Sequence, residues 1–395
     1  MKKLLSTLLM LSLCFTLFAQ TTMADEYVSG IYSVGTCFAP EHAKMLGMGS
    51  AGLALPDAEN GLFYNPASLG EGKFRLSLPS VSVSAYHVYD ILKEDIVNKI
   101  GGDTAELVSS VLNIVGTQYA PLAKVDVSAS VIFPFGVGLG LYAGDTLSTY
   151  SGSAIDELNL SLVAGFGNKI QLGPVSVSAG ITAEYNALVF NKRVKVADVM
   201  GSEDIMQTRL TLASGWTGAS PVLDAGLTVN LAGFSASVVV SNILEASLDM
   251  TAREAAIEKL NLEDIKADIL SENTDFSIPG HRTISAGLAG DFSLGFLGFS
   301  FAIDVNDIEQ LSESLEEAEL ERVLTKHVKA GVELTVLNWI ALRYGLNSGY
   351  QTLGASFSLT KLLRIDAAYY WKEMGSIAGS RGLDGITIRL NLGWE

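Results

Sequence analysis

The chain has 395 residues, of which 48% are hydrophobic, and its 43 acidic and 26 basic residues give a net charge of −17. Such an acidic surface disfavours nucleic acids and other anionic polymers as partners. The mean hydropathy is +0.33, yet beyond the first residues no apolar run approaches the roughly 20 residues that a membrane-spanning helix needs. The composition therefore excludes a helical membrane protein, and the spacing of the apolar residues decides the fold class.

Residues 1–24 have the order of a secretory signal peptide. Two lysines precede an apolar run over residues 4–19, and small residues follow it. We predict cleavage after Ala24, with Ala19 as the alternative. The exported chain then keeps a single cysteine, Cys37, which excludes an internal disulfide framework.

Residues 25–73 are rich in glycine and lack the alternation of strands. Their apolar side chains, such as Leu62, Phe63 and Leu69, need a partner that covers them. This segment is predicted to be a hatch that plugs a barrel from the periplasmic side. A flexible periplasmic tail is the alternative.

From residue 74 to the end, apolar and polar residues alternate with the period of two that strands require. Six pairs of such strands meet across very short turns: near Pro134, at Leu172–Pro174, at Ala232–Gly233, near Leu294–Gly295, at Leu337–Asn338 and at Lys361–Leu362. Between these hairpins lie mostly longer, more polar connections: 89–121, 146–155, 188–220, 246–280, 306–323, 347–350 and 373–382. Short periplasmic turns and longer outer loops are typical of transmembrane barrels. The pattern predicts an all-β fold, a transmembrane antiparallel β-barrel of about 14 strands over residues 74–395.

The two faces of these strands differ in polarity. One face is almost wholly aliphatic or aromatic, as contact with lipid requires, and a sheet in hydrocarbon must close on itself. The other face is rich in glycine, serine and threonine. The competing interpretation is a soluble sandwich of two sheets with their polar faces outward.

A cluster of charged residues is predicted to face the lumen on neighbouring strands. Its members are Lys329, Glu333, Arg343, Arg364, Asp366 and Arg389. One interpretation is a mutually paired network that supports barrel and hatch. The other is that some of the cations meet the carboxylate headgroup of a bound lipid.

Three connections, residues 90–115, 252–270 and 306–323, have apolar positions at helical spacing. They predict short amphipathic helices in outer loops, lying on the mouth of the barrel. The last of them is strongly acidic, so a cation-bridged contact with lipid headgroups or a receptor is an alternative role.

The stretches Gly47-Met48-Gly49-Ser50-Ala51-Gly52 and Asn65-Pro66-Ala67-Ser68-Leu69 resemble the amino-terminal signature of FadL-type barrels. That group includes transporters of long-chain fatty acids and aromatic hydrocarbons and the PorV-type proteins. The resemblance implies a hatch inside the barrel, capture of hydrophobic ligands from outside, and sideways release through a strand distortion. Gly47, Met48, Gly49, Asn65, Pro66 and Ala67 would belong to the hatch. Ser50 and Ser68 depart from the pattern, which has glycine at both positions.

The first strand contains an irregularity at Pro79. Its apolar alternation stops at Leu78 and restarts out of phase at Val81. A proline with a phase slip predicts a bulge or kink. The bulge either opens a lateral gap or simply ends the hatch.

Catalysis is not predicted. The four histidines lack metal-ligand spacing, and no Gly-x-Ser-x-Gly motif occurs, so we expect no cofactor and no metal. The sequence predicts a protein of the outer membrane of a diderm bacterium that transports hydrophobic small molecules, foremost long-chain fatty acids. Its expected partners are membrane lipid and that ligand. The alternatives are a PorV-like scaffold that binds a protein partner through its acidic loops, and a general porin.

Overall fold

The structure is a computed structural model that describes residues 38–55, 61–95, 98, 119–150, 153–193, 213–252, 275–314, 320–337, 339–360, 362–375 and 378–394. The predicted signal peptide, and the predicted helical connection 252–270 beyond its first residue, lie outside these ranges. Among the residues described, no helix combines the length and the apolar character needed to span a membrane.

Sixteen strands form in the described part of the chain. The first eight are β1 (Arg75–Tyr86), β2 (Ala120–Ile132), β3 (Val137–Tyr150), β4 (Ser153–Leu172), β5 (Val175–Arg193), β6 (Ala213–Leu231), β7 (Phe234–Ser241) and β8 (Leu248–Ala252). The others are β9 (Phe276–Ile278), β10 (Thr283–Leu294), β11 (Leu297–Val305), β12 (Val328–Val336), β13 (Ile340–Asn347), β14 (Tyr350–Ser358), β15 (Leu363–Glu373) and β16 (Gly382–Trp394).

The helices that the structure describes are all short. They are α1 (Ala43–Gly47), a 3-10 helix (Pro66–Glu71), α2 (Val88–Lys93), α3 (Ile308–Ser314) and α4 (Leu320–His327). α2 lies at the edge of the predicted helical connection 90–115, and α3 and α4 lie in the connection 306–327 between β11 and β12. The amphipathic outer helices predicted there are thus present in part.

The sheet closes into a barrel. Neighbouring strands pair antiparallel around the ring, β16 returns to β1, and β5 pairs with β6. β8 and β9 stand outside this ring, on the upper part of β6. The remaining fourteen strands form the ring, so the predicted fourteen-stranded barrel is confirmed and the two-sheet sandwich is wrong.

The six predicted turns each connect a pair of neighbouring antiparallel strands. Two of the predicted long connections are wrong in extent, however. β3 reaches Tyr150 and β4 begins at Ser153, and β5 and β6 extend to Arg193 and from Ala213. The residues taken for loops 146–155 and part of 188–220 form the upper ends of strands, because above the lipid both faces of a strand can carry polar residues.

The polarity of the two faces is as predicted. Outward side chains are apolar and exposed, for example Leu162 at 55% and Ile388 at 53%. Inward side chains are polar and buried, for example Ser82 and Asp366 at 0%. A continuous exposed apolar surface on a closed sheet is stable in hydrocarbon and unfavourable in water. The protein is therefore built as a transmembrane barrel.

Candidate functional site in the barrel lumen

The N-terminal segment, residues 38–55 and 61–72, packs against inward side chains of the barrel. Its apolar residues fall into separate buried clusters on different strands. Ala43 and Leu46 of α1 pack with Tyr86 and Tyr370, while Leu62 and Leu69 pack with other wall residues in a second cluster. The side chains that the sequence left without a partner are thus covered by the wall.

The Gly47-Met48-Gly49 stretch lies against β12, β13 and β14. A Cβ at Gly47 would come within 2.7 Å of Gly354 Cα, and Gly49 has φ +69. Thr352 fastens the stretch, because its Oγ1 accepts a hydrogen bond from Gly49 N (2.9 Å) and donates one to Gly47 O (3.0 Å). Close approach of two backbones requires glycine here. Ser50, which stands where the signature that this stretch resembles has glycine, has a left-handed φ of 59°.

Asn65, Pro66 and Ala67 form the second anchor, at β5, β6 and β7. Asn65 Oδ1 accepts a hydrogen bond from Ala67 N (3.0 Å) and so caps the 3-10 helix, with proline in its first turn. Asn65 Nδ2 donates to Leu53 O (2.8 Å) and Thr228 Oγ1 (3.2 Å). One side chain thus joins both halves of the segment to the wall.

The turn formed by Asn65, Pro66 and Ala67 and the 3-10 helix that follows it pack on three aligned glycines. Gly167, Gly180 and Gly226 are neighbours across β4, β5 and β6. A Cβ at Gly180 would overlap the carbonyl oxygen of Pro66, and one at Gly226 would lie 2.5 Å from Asn65 Oδ1. We call these residues the glycine cradle. They explain why the inward face of this region is poor in side chains.

Ion pairs add to these anchors. Glu41 forms ion pairs with Lys124 (3.7 Å) and Lys372 (3.8 Å), and Glu71 pairs with Lys169 (3.2 Å). Burial raises the pKa of Glu41, but the two ammonium groups and the Tyr86 hydroxyl outweigh it and lower the pKa to about 2. Glu41 is therefore ionised at neutral pH and holds the segment to β2 and β15.

Four residues of the predicted charge cluster form one buried network. Arg343 Nε lies 2.5 Å from Glu333 Oε2, and Arg343 Nη1 lies 3.5 Å from Asp366 Oδ1. Arg364 Nε donates to Asp366 Oδ2 at 2.9 Å. We call Glu333, Arg343, Arg364 and Asp366 the charge network. Lys44 of α1 reaches it through Glu333 at 3.7 Å.

Two predicted members lie at its margins. Arg389 binds Asp126 (3.4 Å) and Ser128 (2.8 Å), and connects to the network through Asn391. Lys329 is the register partner of Asp304 on β11. Asp304 Oδ2 in turn accepts backbone hydrogen bonds from Gly52 (2.7 Å) and Leu53 (2.9 Å). The contacts favour the paired, supporting interpretation of these charges.

A second region of the lumen, on β4, β5 and β6, was not singled out by the sequence. Above the glycine cradle, the inward residues form a polar belt of two carboxylates, an amide and three hydroxyls: Ser161, Thr182, Glu184, Asn186, Ser220 and Asp224. Ser161, Asn186 and Ser220 are direct neighbours across the three strands, and Thr182 faces Asp224. Serine and asparagine in alternation gave no signal distinct from other lumen positions.

Higher on the wall the inward face carries large apolar side chains, beside the buried polar residues Asn159 and Glu157 of β4. Ile155, Leu188, Phe190, Trp216, Leu248 and Met250 form a buried cluster, which we call the apolar cluster. Phe190 and Trp216 have ring centroids 5.4 Å apart. Phe38 of the N-terminal segment packs against the cluster. The sequence does not predict the apolar cluster, because its residues lie in segments that are predicted to be loops.

Besides a register shift between Pro121 and Ala123 at the upper end of β2, the described wall is irregular at two places. β1 shifts register on both sides around Pro79, between Ser77 and Ser80 or Val81. β6 pairs with β8 up to Ala219 and with β7 from Ala225, so 220–224 have no ladder partner on that side within the described residues. The second interruption lies beside the polar belt.

Comparison with known proteins finds no matching family model and no matching curated protein. Solved structures do align over nearly the whole chain. A Pseudomonas aeruginosa FadL homologue has 13% identity and a TM-score of 0.44, covering 89% of this chain and 98% of its own. The Ralstonia pickettii toluene transporter TbuX has 12% identity and a TM-score of 0.44, covering 91% and 99%.

A third aligned structure, the CymD monoaromatic hydrocarbon channel, has 13% identity and a TM-score of 0.42, covering 89% and 96%. The chain is similar to FadL-type barrels. The ligands in these names belong to those proteins, and the function of this chain is argued below from its own residues.

Proposed function

We propose that this protein carries hydrophobic small molecules across the outer membrane through a barrel whose lumen is plugged by its N-terminal segment. The observation that carries the proposal is the apolar cluster, which lines the inside of the upper wall rather than its lipid-facing side. An inward apolar surface above a lumen filled by a folded segment suits an apolar molecule and does not suit an open, water-filled pore.

The N-terminal segment acts as the plug in this proposal. Its anchors on β5, β6, β12, β13 and β14 lie on opposite sides of the ring, so the segment crosses the lumen. Phe38 covers the apolar cluster, and its displacement would expose that surface to an entering molecule.

A sideways exit fits the two interruptions of the wall. The bulge at Pro79 is one candidate. The other is the stretch 220–224 of β6, which lies between the β7 and β8 ladders and accepts a backbone hydrogen bond from Ile243 at Leu223 O (2.8 Å). The second is adjacent to the polar belt, so a molecule leaving the apolar cluster would reach it without passing the plug.

Long-chain fatty acids fall within the proposed class of ligand. In the charge network, however, Arg343 and Arg364 already bind the carboxylates of Glu333 and Asp366. These contacts favour recognition of an apolar chain over recognition of a carboxylate at that place.

The test is the identification of small molecules that co-purify with the full chain. We expect stoichiometric apolar molecules in an organic extract analysed by mass spectrometry, and their loss in Phe190→Asn. Phe299→Asn, an outward position, should retain them. Recovery of a protein partner without lipid would support the scaffold instead, and a large steady single-channel current would support the porin.

A further inference from the structure

The polar belt contains two carboxylates that form no ion pair within the described residues. Glu184 and Asp224 lie on adjacent strands, one inward position apart, because Glu184 faces Val222 and Asp224 faces Thr182. Asn186 donates to Glu184 at 3.3 Å, and the backbone of Asn242 donates to Asp224 at 2.7 Å. Other lumen carboxylates form ion pairs with arginine, but within the described residues neither of these two does.

The same belt holds buried oxygens that make no hydrogen bond. Within the described residues these include Ser161 Oγ, Thr182 Oγ1, Asn186 Oδ1 and Ser220 Oγ. Their residues are only 1–4% exposed. Ser161, Asn186 and Ser220 stand side by side in one row across the three strands, and Thr182 lies four residues lower on β5. An unpaired buried polar atom costs roughly 1–3 kcal/mol, so three adjacent ones indicate a group that binds there. Protonation of the two carboxyls would remove their charge but would leave these oxygens unpaired.

The hydrogen-bonding groups of the polar belt indicate which chemical group binds there. Carboxylate and amide oxygens accept hydrogen bonds, and hydroxyls can accept as well as donate. A group with several N–H donors and a positive charge satisfies them together, whereas an anionic head would bring further acceptors to a site that already consists mostly of acceptors. The belt is thus complementary to an ammonium head.

The position of the apolar cluster indicates the chemistry of the rest of the ligand. Leu188 and Phe190 follow Asn186 on the inward face of the same strand. At about 3.3 Å per residue, Glu184 lies some 13 Å below Leu188 and some 20 Å below Phe190. A head at the belt therefore leaves an alkyl chain extending into the cluster.

We propose, on the basis of the function proposed above, that the ligand of this barrel is an amphiphile with a cationic amine head, held by Glu184, Asn186, Ser161 and Ser220. Asp224 lies one inward position below Glu184 and adds to the acidity of the site, and the chain of the ligand lies in the apolar cluster. In this proposal the charge of the ligand head is recognised on β4–β6 and not at Arg343 and Arg364 of the charge network.

Three probes of equal chain length test the proposal: octylammonium, octanol and octanoate, titrated calorimetrically into the full chain in nanodiscs at neutral pH. We expect octylammonium to bind at least about tenfold more tightly than octanoate, with octanol between them. The double variant E184Q/D224N should lose this preference. Asp291→Asn, which removes a carboxylate near a periplasmic turn, should keep it, and heat-dependent gel mobility should show that each variant is folded.

The other outcomes separate the hypotheses. If octanol and octanoate bind but octylammonium has no advantage, or if its advantage survives in E184Q/D224N, the cationic-head proposal is wrong and uptake of hydrophobic molecules stands. If none of the three probes binds, both proposals fail. If Ca²⁺ alone binds stoichiometrically and depends on Glu184 and Asp224, the belt is a metal site and the amine assignment is overturned.

Discussion

The two sides of the barrel wall differ in height and in how their lumen charges are paired. On the tall side, β3–β6 have 14, 20, 19 and 19 residues. On the short side, β11–β14 have 9, 9, 8 and 9. The short side, together with Asp366 on the adjacent β15, places the buried charge of Arg343 against opposite charges. On the tall side, Glu184 and Asp224 form no ion pair with any described residue and lie beneath the apolar cluster.

The difference indicates a division of roles between the two sides. A buried ion pair with its hydrogen bonds complete fixes geometry and offers nothing to a ligand. Unpaired polar groups beside an apolar cluster are unfavourable in the empty protein, and natural proteins retain them where something binds. We therefore assign support to the short side and ligand contact to the tall side.

The largest expected effect comes from filling the glycine cradle of the tall side. Gly180→Ala places a methyl group on the carbonyl oxygen of Pro66, so the 3-10 helix must move out of the cradle. We expect a change from a closed barrel to steady ionic current in planar bilayers. Gly298→Ala, where the nearest atom is a Thr335 side-chain carbon at 3.3 Å, should remain closed. A closed Gly180→Ala barrel would contradict the plug.

Breaking the charge network on the short side should lower the stability of the barrel and leave its conductance unchanged. Arg343→Met leaves Glu333 and Asp366 buried without their shared partner, so we expect a loss of about 3–5 kcal/mol in the free energy of unfolding. Urea unfolding in detergent measures it. The matched control is Arg282→Met, an exposed arginine paired with Glu245 and Glu309, whose loss should lower the stability far less because exposed ion pairs contribute little. Equal losses would remove the distinction between buried and exposed pairs.

A smaller effect is expected at the joint between the two halves of the N-terminal segment. Asn65→Ala removes the cap of the 3-10 helix and the bonds to Leu53 and Thr228, at a cost of about 1–2 kcal/mol. Limited proteolysis should then cut the segment faster while the barrel stays intact. Asn65→Asp keeps the cap acceptor but loses the donor, so its cleavage rate should be intermediate. Unchanged rates would show that the cradle alone holds the turn.

The smallest expected effect is the pH dependence of the contact between Glu41 and the barrel wall. Glu41 has a pKa of about 2 in the folded protein against 4.5 in an ordinary environment, so its ionised form is favoured by folding. Its contribution is complete above about pH 4.5 and is lost as the pH falls towards 2. Protease access to the segment should rise over that interval in the native chain and less steeply in Glu41→Gln. Parallel profiles would mean that Glu41 is not an anchor.

Much of the fold was predictable because one face of each strand meets lipid. Alternation such as that of Ile386, Ile388 and Leu390 has a single stable arrangement in a membrane, and the short turns fixed the number of strands. The charge network was predictable too, since register follows from the turns. The upper ends of β3–β6 were not, because above the lipid the apolar residues turn inward, as Leu188 and Phe190 do, and the outward alternation disappears.

The polar belt could not be predicted for a different reason. Serine, threonine and asparagine are ordinary on any lumen face, and whether Ser161 or Asn186 finds a partner depends on distances that only folding determines. The cradle glycines were visible in the sequence as small inward residues. Their alignment beneath Pro66 requires the register of three strands.

The extra height of β4–β6 has a consequence outside the membrane. A strand of about 9–11 residues suffices to cross the bilayer, so strands of 19 and 20 residues leave roughly half their length above it. The rim is accordingly lopsided: a molecule approaching from the medium meets protein on one flank and lipid headgroups on the other. Arrival is thus biased towards the flank that carries Trp216 and Met250, before any part of the interior has opened.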